Sequence, residues 1–305
     1  MRPVQRVLLM VNARAGSVRA RTKEVIAKAL SADFKLDVTD TMSRNHASRL
    51  AADAVEGGFD AVVAFGGDGT VNEAAQTLVG TGVALGVLPG GSTNVLARSL
   101  GIPRDPVEAT AYLAARLRAG ARRAINVGDI SGRYFLFSSG MGLDAEVVKR
   151  VEADPEAKAR SAEWTFLRKA LATGVGEYRG ADPWLTVEVE GREPVRALLA
   201  ICCNGRPFTY FKRFPVDVCP RATLDGGLDV YSLRKIGLGT VPRIIWSVFV
   251  SRSHVRWRNA HYDHDVQSVT LRADRPLPIQ VDGDYIGEQE TASIRSIRNG
   301  LDVLV

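Results

Sequence analysis

Short apolar runs alternate with helical periodicity over the first third of the chain. Val7–Val11, Phe34–Thr39, Ala61–Phe65 and Val83–Leu88 read as strands, while Lys23–Leu30, Ala47–Val55, Val71–Leu78 and Thr93–Leu100 repeat apolar residues at helical spacing. Strand–helix alternation of this kind predicts a parallel, doubly wound sheet. Pro103 and Pro106 punctuate the pattern, and a helix over Val107–Arg118 closes this half. Beyond Gly120 the period changes to two, in runs such as Tyr134–Phe137, Trp184–Val189, Ala197–Ile201, Leu228–Leu233 and Val266–Leu271, with Gly, Pro and Asp between them. This predicts an antiparallel β-rich domain interrupted by one helix near Glu163–Ala172. The expected fold class is therefore α/β: an N-terminal doubly wound parallel-sheet domain over residues 1–125, rejoined by about 288–305, plus a C-terminal antiparallel β-rich domain over 126–287.

Composition removes several classes. A chain of 305 residues, 46% apolar and 24% charged, can bury a core in each of two domains and is no disordered or collagen-like sequence. Cys202 and Cys203 are adjacent and Cys219 makes the count odd, so no disulfide framework is expected and a reducing cytoplasm is the natural setting. The net charge of +6 is spread along the chain, which suits an anionic ligand or membrane surface and is too sparse for a nucleic-acid-binding face. The longest uncharged stretch, Ala74–Ala97, carries six Gly or Pro residues, too many for a membrane-spanning helix.

The chemistry concentrates in loops. Phe65-Gly66-Gly67-Asp68-Gly69-Thr70-Val71-Asn72-Glu73 lies between a buried strand and a helix start, where open α/β sheets bind ligands. Glycines there let the backbone approach closely and present N–H groups at a positive helix terminus, which phosphate oxygens require. Asp68 beside a phosphate calls for a divalent ion between them. The plain alternative is a tight turn in which Asp68 and Thr70 act as caps and Thr70-x-x-Glu73 forms a capping box, leaving Glu73 structural. A second loop, Pro89-Gly90-Gly91-Ser92-Thr93-Asn94, and a third, Asn12-Ala13-Arg14-Ala15-Gly16, again follow apolar strands, so three polar loops are expected to line a nucleotide cleft. No Walker or dinucleotide fingerprint is present. Late in the chain, Asp282 and Asp284 offer carboxylates that could serve an attacking hydroxyl, against the plain reading of Asp-Gly as a hairpin turn.

Taken together and in order, the Gly-Gly-Asp-Gly-Thr-Val-Asn-Glu loop, the Pro-Gly-Gly-Ser-Thr-Asn loop with Leu96-Ala97-Arg98 and Gly101-Ile102-Pro103, Phe135-Leu136-Phe137, Gly142-Leu143-Asp144-Ala145 and Val281-Asp282-Gly283-Asp284 resemble the diacylglycerol kinase catalytic-domain family of bacterial lipid kinases. The resemblance spans nearly the whole chain and implies an ATP- and Mg2+-dependent kinase acting on a lipid hydroxyl, with diacylglycerol the default acceptor and phosphatidic acid the product. It further implies that Asn12, Ala13, Arg14, Ala15, Gly16, Thr41, Gly66, Gly67, Gly69, Thr70, Val71, Asn72, Glu73, Gly91, Ser92 and Asn94 surround the nucleotide. Asp68 is placed near phosphates and magnesium, and the catalytic base is Asp284, which stands where the family has Glu, or its rival Asp282. The segment Pro220–Val230 resembles a family stretch that holds a structural magnesium, with Asp225 as the ligand. Asn126 replaces an Asp common in the family.

The same Gly-Gly-Asp-Gly-Thr loop occurs in NAD kinases, whose second motif of Asn-Glu-Asp type is absent here. A catalytically inactive, membrane-associated nucleotide-binding regulator is the other alternative, motivated by Asp284 and Asn126. A lipid kinase also needs peripheral contact with a membrane surface. Ile244, Ile245, Trp246, Phe249 and Val250, with Arg243, Arg252, Arg256, Trp257 and Arg258, form one apolar–basic cluster; Trp164, Phe166, Leu167, Arg168 and Lys169 form another. Each reads first as a core helix with snorkelling cations and second as a lipid-headgroup surface. His261 and His264 are expected on a solvated strand edge rather than on a metal, and homodimerisation through a sheet edge stays open.

Overall fold

The computed structural model describes residues 4–16, 18–154, 162–176, 178–237 and 239–305. The chain divides into two compact units, Met1–Val127 with Arg298–Val305, and Gly128–Ile297.

The first unit runs β1 (Arg6–Val11), α1 (Ala20–Ser31), β2 (Lys35–Asp40), α2 (His46–Glu56), β3 (Ala61–Gly66), α3 (Asp68–Leu78), β4 (Ala84–Pro89), α4 (Val95–Ser99) and α5 (Pro106–Ala119). Strands pair in the order β2-β1-β3-β4, all parallel, and Val303 near the C-terminus pairs in parallel with Leu85 of β4. Every residue of β3 and β4 is buried, as continuous apolar strands covered on both faces must be. Helix α1 packs with α5 and α2 with α3. Strand β2, Lys-Leu-Asp-Val-Thr-Asp, lies at the end of the order and is largely solvated, its charges discouraging further strand pairing. Helix α5 shows how local sequence sets a boundary. Asp105 accepts from the Val107 and Glu108 amides, Pro106 opens the first turn, Arg116 and Arg118 sit at the negative end, and Gly120 (φ 61°) closes it.

Strand β5 (Arg123–Ile130) carries the chain into the second unit, which contains β6 (Arg133–Phe135), β7 (Ser138–Gly142), α6 (Leu143–Glu152), α7 (Ala162–Val175), β8 (Leu185–Val189), β9 (Val195–Ala197), β10 (Leu199–Cys203), β11 (Thr209–Phe211), β12 (Phe214–Val216), β13 (Leu228–Leu233), α8 (Thr240–Trp246), β14 (Ala260–Val266), β15 (Ser268–Val281) and the larger part of β16 (Asp284–Val303), whose last residues belong to the first unit. Its sheet is antiparallel, in the order β14-β13-β10-β7-β15-β16, with β8 paired onto β15 and β9 onto β8. Strand β10 shows the logic of the core: Ala200 and Cys202 enter one apolar cluster while Leu199, Ile201 and Cys203 enter another, so both faces are buried. The three cysteines are free and buried.

Two expectations need correction. Helix α3 begins at Asp68 rather than Val71, placing Asp68, Gly69 and Thr70 inside its first turn. The second unit holds α6 as well as the expected helix near Glu163. Leu143, Val147 and Val151, spaced four apart, form its buried stripe. Among the described residues no helix is long and apolar enough to cross a membrane.

Candidate active site

Strands β1, β2, β3 and β4 end at Val11, Asp40, Gly66 and Pro89, and the nucleotide-site residues expected from the sequence sit in the loops and helix starts that follow. The loops are tied to one another. Asn12 donates from its side chain to Thr70 Oγ1 at 2.9 Å and from its backbone to Phe65 O, while its Oδ1 accepts from the Arg14 amide. The Ala15 amide donates to Asn12 O, which turns the first loop, and the Thr41 amide donates to Val11 O. Gly90 N donates to Gly66 O at 2.8 Å, so the two glycine-rich loops cross backbone on backbone.

That crossing explains much of the glycine content. A Cβ on Gly91 would lie 2.7 Å from Gly67 Cα, and one on Gly90 would lie 3.1 Å from Gly66 Cα. Neither main chain can yield. The Asn94 side chain then closes the second loop, accepting from Gly91 N at 2.9 Å and donating to Gly91 O at 2.7 Å. Ala13, Arg14, Gly16, Gly69 and Ser92 are left exposed around this crossing, whereas Thr70, Val71 and Asn72 are buried. Asn72 accepts from Gln76 one turn on, and so braces α3 from within.

Helix α3 has Gly67 as its N-cap residue, which has no side chain to cap it, and the amides of its first turn present the positive end of the helix. The capping-box reading of Thr70 and Glu73 therefore fails. Glu73 serves the neighbouring helix instead: Oε1 accepts from Asn45 N at 2.8 Å and Oε2 from Ala47 N at 3.2 Å, at the start of α2. Asp68 stands half-buried in the first turn of α3, and its Oδ1 accepts from Leu96 N at 3.4 Å.

In the second unit, Asp282 and Asp284 lie on the turn joining β15 to β16, but their surroundings differ. Asp282, in the left-handed region at φ 49°, accepts from Leu136 N at 2.8 Å and from Phe137 N and Ser138 N at 3.0 Å. Its carboxylate pins the turn to the β6–β7 connection. The Asp284 side chain is half-buried and makes no hydrogen bond or ion pair among the described residues. Behind the turn lies a feature that motif reading missed. Gln280, fully buried, accepts from Gly283 N at 2.9 Å and donates to Asp144 Oδ2 at 3.1 Å. Burial pushes the Asp144 carboxyl up to about 7, with the Gln280 hydrogen bond pulling the other way. Only the position of Asp144 in Gly142-Leu143-Asp144-Ala145 hinted at it.

The remaining candidates disperse. Asp225 is exposed on its turn, where Gly227 N donates to Asp265, and no group of three or more metal-ligating side chains comes together among the described residues. Asn126 is buried and accepts from Asn299 N at 2.8 Å, a task that needs an acceptor and no charge. His264 pairs with Asp229 at 2.6 Å and His261 with Asp263 at 3.1 Å, along β14 at the end of the strand order. The core-helix reading of the Trp246 cluster holds for Ile244 and Ile245, which pack on the core, and fails for Trp246, Phe249 and Val250, which are exposed. In the other cluster Lys169 pairs with Asp154 at 3.4 Å; the side chains of Trp164, Phe166 and Leu167 lie outside the described residues.

Known proteins resemble this chain in sequence and in fold. Residues 6–130 match the diacylglycerol kinase catalytic domain. A protein named diacylglycerol kinase from Bacillus subtilis (strain 168) is 32% identical over 271 residues, covering 87% of this chain and 84% of that one. A Pseudomonas aeruginosa (PAO1) protein named "Probable lipid kinase YegS-like" is 34% identical over 152 residues, 49% of this chain and 48% of its own length. A crystal structure of a diacylglycerol kinase from Bacillus anthracis str. Sterne superposes with a TM-score of 0.74 over 100% of this chain and 98% of that one, at 19% identity, a likeness of fold. With a relative above 30% identity over most of both chains and the matched domain lying on the glycine loops themselves, this chain belongs to the diacylglycerol kinase catalytic domain family.

Proposed function

We propose that this protein is an ATP-dependent lipid kinase that transfers the γ-phosphate to the hydroxyl of diacylglycerol or a related lipid, giving phosphatidic acid or its analogue. The observation that supports this most is the start of α3. A helix with glycine at its N-cap opens at crossed glycine loops, at the carboxyl ends of parallel strands, with Asn12, Thr70, Gly91 and Asn94 bonded into the same rim. Phosphoryl transfer asks a protein mainly for positioning and for stabilisation of charge. The α3 amides supply the second toward phosphate oxygens, and the exposed Ser92 offers a hydroxyl beside them.

The residues also fit magnesium. Asp68 brings one carboxylate to the first turn of α3, and with no larger cluster of ligating side chains among the described residues this suits an ion held mostly by phosphate oxygens and water. When bound, the ion neutralises charge on the transferring group. Asp284 is the better base of the two carboxylates, since its oxygens are unengaged while those of Asp282 already hold three amides. Asp284 accepts the proton of the lipid hydroxyl as that oxygen attacks the γ-phosphorus, whose bond to the β,γ-bridging oxygen breaks so that ADP leaves with the electron pair.

The test is transfer of labelled phosphate from ATP to micelle-presented diacylglycerol, sphingoid base, ceramide and long isoprenoid alcohol, and to NAD, by the wild type and by Asp68→Ala. Label in one of the lipids, lost with Asp68→Ala, is expected. Label in NAD alone overturns the proposal in favour of an NAD kinase. Nucleotide binding with no acceptor labelled would select the regulator.

A further inference from the structure

Among the described residues of the second unit, the exposed large apolar side chains are concentrated at one place. Trp246 is 64% exposed, Val250 58%, Phe214 52% and Phe249 37%. The β11–β12 hairpin packs on the turn Ser247–Ser251, and the Phe211 and Phe249 rings meet edge to face at 6.0 Å. Asp217 N donates to Val248 O, fixing the hairpin's exit to the same turn. The hairpin tip is Lys212-Arg213, and the Arg213 guanidinium lies 5.1 Å from the Phe214 ring centre.

The charge around this surface is one-sided. Residues 205–216 carry Arg206, Lys212 and Arg213, and residues 239–260 carry Arg243, Arg252, Arg256 and Arg258; neither stretch contains Asp or Glu. The one carboxylate at the junction, Asp217, is buried and paired with Arg252 at 2.7 Å. Apolar side chains standing proud of a rim of arginines match a bilayer interface, where rings and aliphatic groups enter the acyl boundary and the cations meet anionic headgroups.

We infer that the surface formed by Phe211, Phe214, Trp246, Phe249 and Val250, with Arg213 and Arg243 at its rim, docks this protein on anionic lipid bilayers. The docking is read without ATP or acceptor, so its failure and that of the kinase reading are separate results. A protein that phosphorylates a detergent-dispersed lipid but ignores vesicles loses only this inference.

The experiment is co-sedimentation of the full chain with phosphatidylcholine vesicles made with and without phosphatidylglycerol. Binding is expected only with the anionic lipid, falling as salt is raised. Arg213→Gln and Arg243→Gln should each lower the partition coefficient roughly fivefold, the effect of one cation near a charged surface. Both keep the buried Asp217 pair intact. The pair Trp246→Ser and Val250→Ser should abolish binding with an unchanged melting temperature, the side chains being exposed. Of the four tryptophans, Trp246 should carry the vesicle-induced blue shift in fluorescence, which Trp246→Phe removes. Equal binding to neutral vesicles, binding untouched by these substitutions, or a dimer dissolved by Trp246→Ser in a protein that ignores vesicles would each overturn the inference.

Discussion

Asp282 and Asp284 sit two residues apart on one turn, yet only their hydrogen bonds separate their work. Asp282 holds three main-chain amides of residues 136–138, so Asp282→Asn should cost about 2 kcal/mol of stability, the scale of hydrogen bonds to a charged acceptor. Asp284→Asn should leave the melting temperature unchanged and lower turnover by roughly 10²–10⁴-fold. Measuring both quantities on both variants separates an anchoring carboxylate from a base. Asp144 makes a third case. Its folded carboxyl titrates at about 7 against an ordinary value of 3.8, so between those values the folded state binds more protons than the unfolded chain. Stability therefore falls as pH rises through this window and the loss is complete above it. Asp144→Asn, which can still accept from Gln280, should flatten that slope and be more stable than the wild type near pH 8 by up to about 4 kcal/mol. Denaturant titration on either side of the window checks it.

Elements were legible in the sequence where burial is two-sided. β3 and β4 are unbroken apolar runs, and the structure buries all of both. Helix α6 was not legible. Asp144, Glu146, Lys149 and Arg150 interrupt its apolar residues Leu143, Ala145, Val147, Val148 and Val151, and the preceding glycine-rich strand breaks the pattern. The glycine loops were legible as a place and only partly as a reason, because the need for Gly90 and Gly91 arises from a crossing strand's loop some twenty residues away. Gly91→Ala should therefore destabilise the protein and impair nucleotide binding together. The role of Glu73 was hidden in the same way, since its partners Asn45 and Ala47 start another helix. Glu73→Gln should loosen α2 by about 1 kcal/mol, the scale of a helix cap, with little change in KM for ATP. A large rise in KM without loss of stability would instead make Glu73 a nucleotide ligand.

At the scale of the whole molecule, the order of motifs along the chain carried the family and the fold, and the physical reading of the two units agrees with both. What a linear sequence cannot display is which carboxylate is engaged and which apolar cluster is exposed. Asp282 and Leu136 are 146 residues apart, and Trp246 was indistinguishable from its partly buried neighbour Ile245 until the packing was seen. The central claim is phosphoryl transfer from ATP to a lipid hydroxyl with Asp284 as base. The most direct measurement is the rate of labelled phosphatidic acid formation from diacylglycerol by the wild type, Asp284→Asn and Asp282→Asn, with folding of each variant verified. The account requires product from the wild type and near-complete loss in Asp284→Asn at full stability. Undiminished turnover in Asp284→Asn, or no phosphorylated lipid from a wild type that binds ATP, would contradict it.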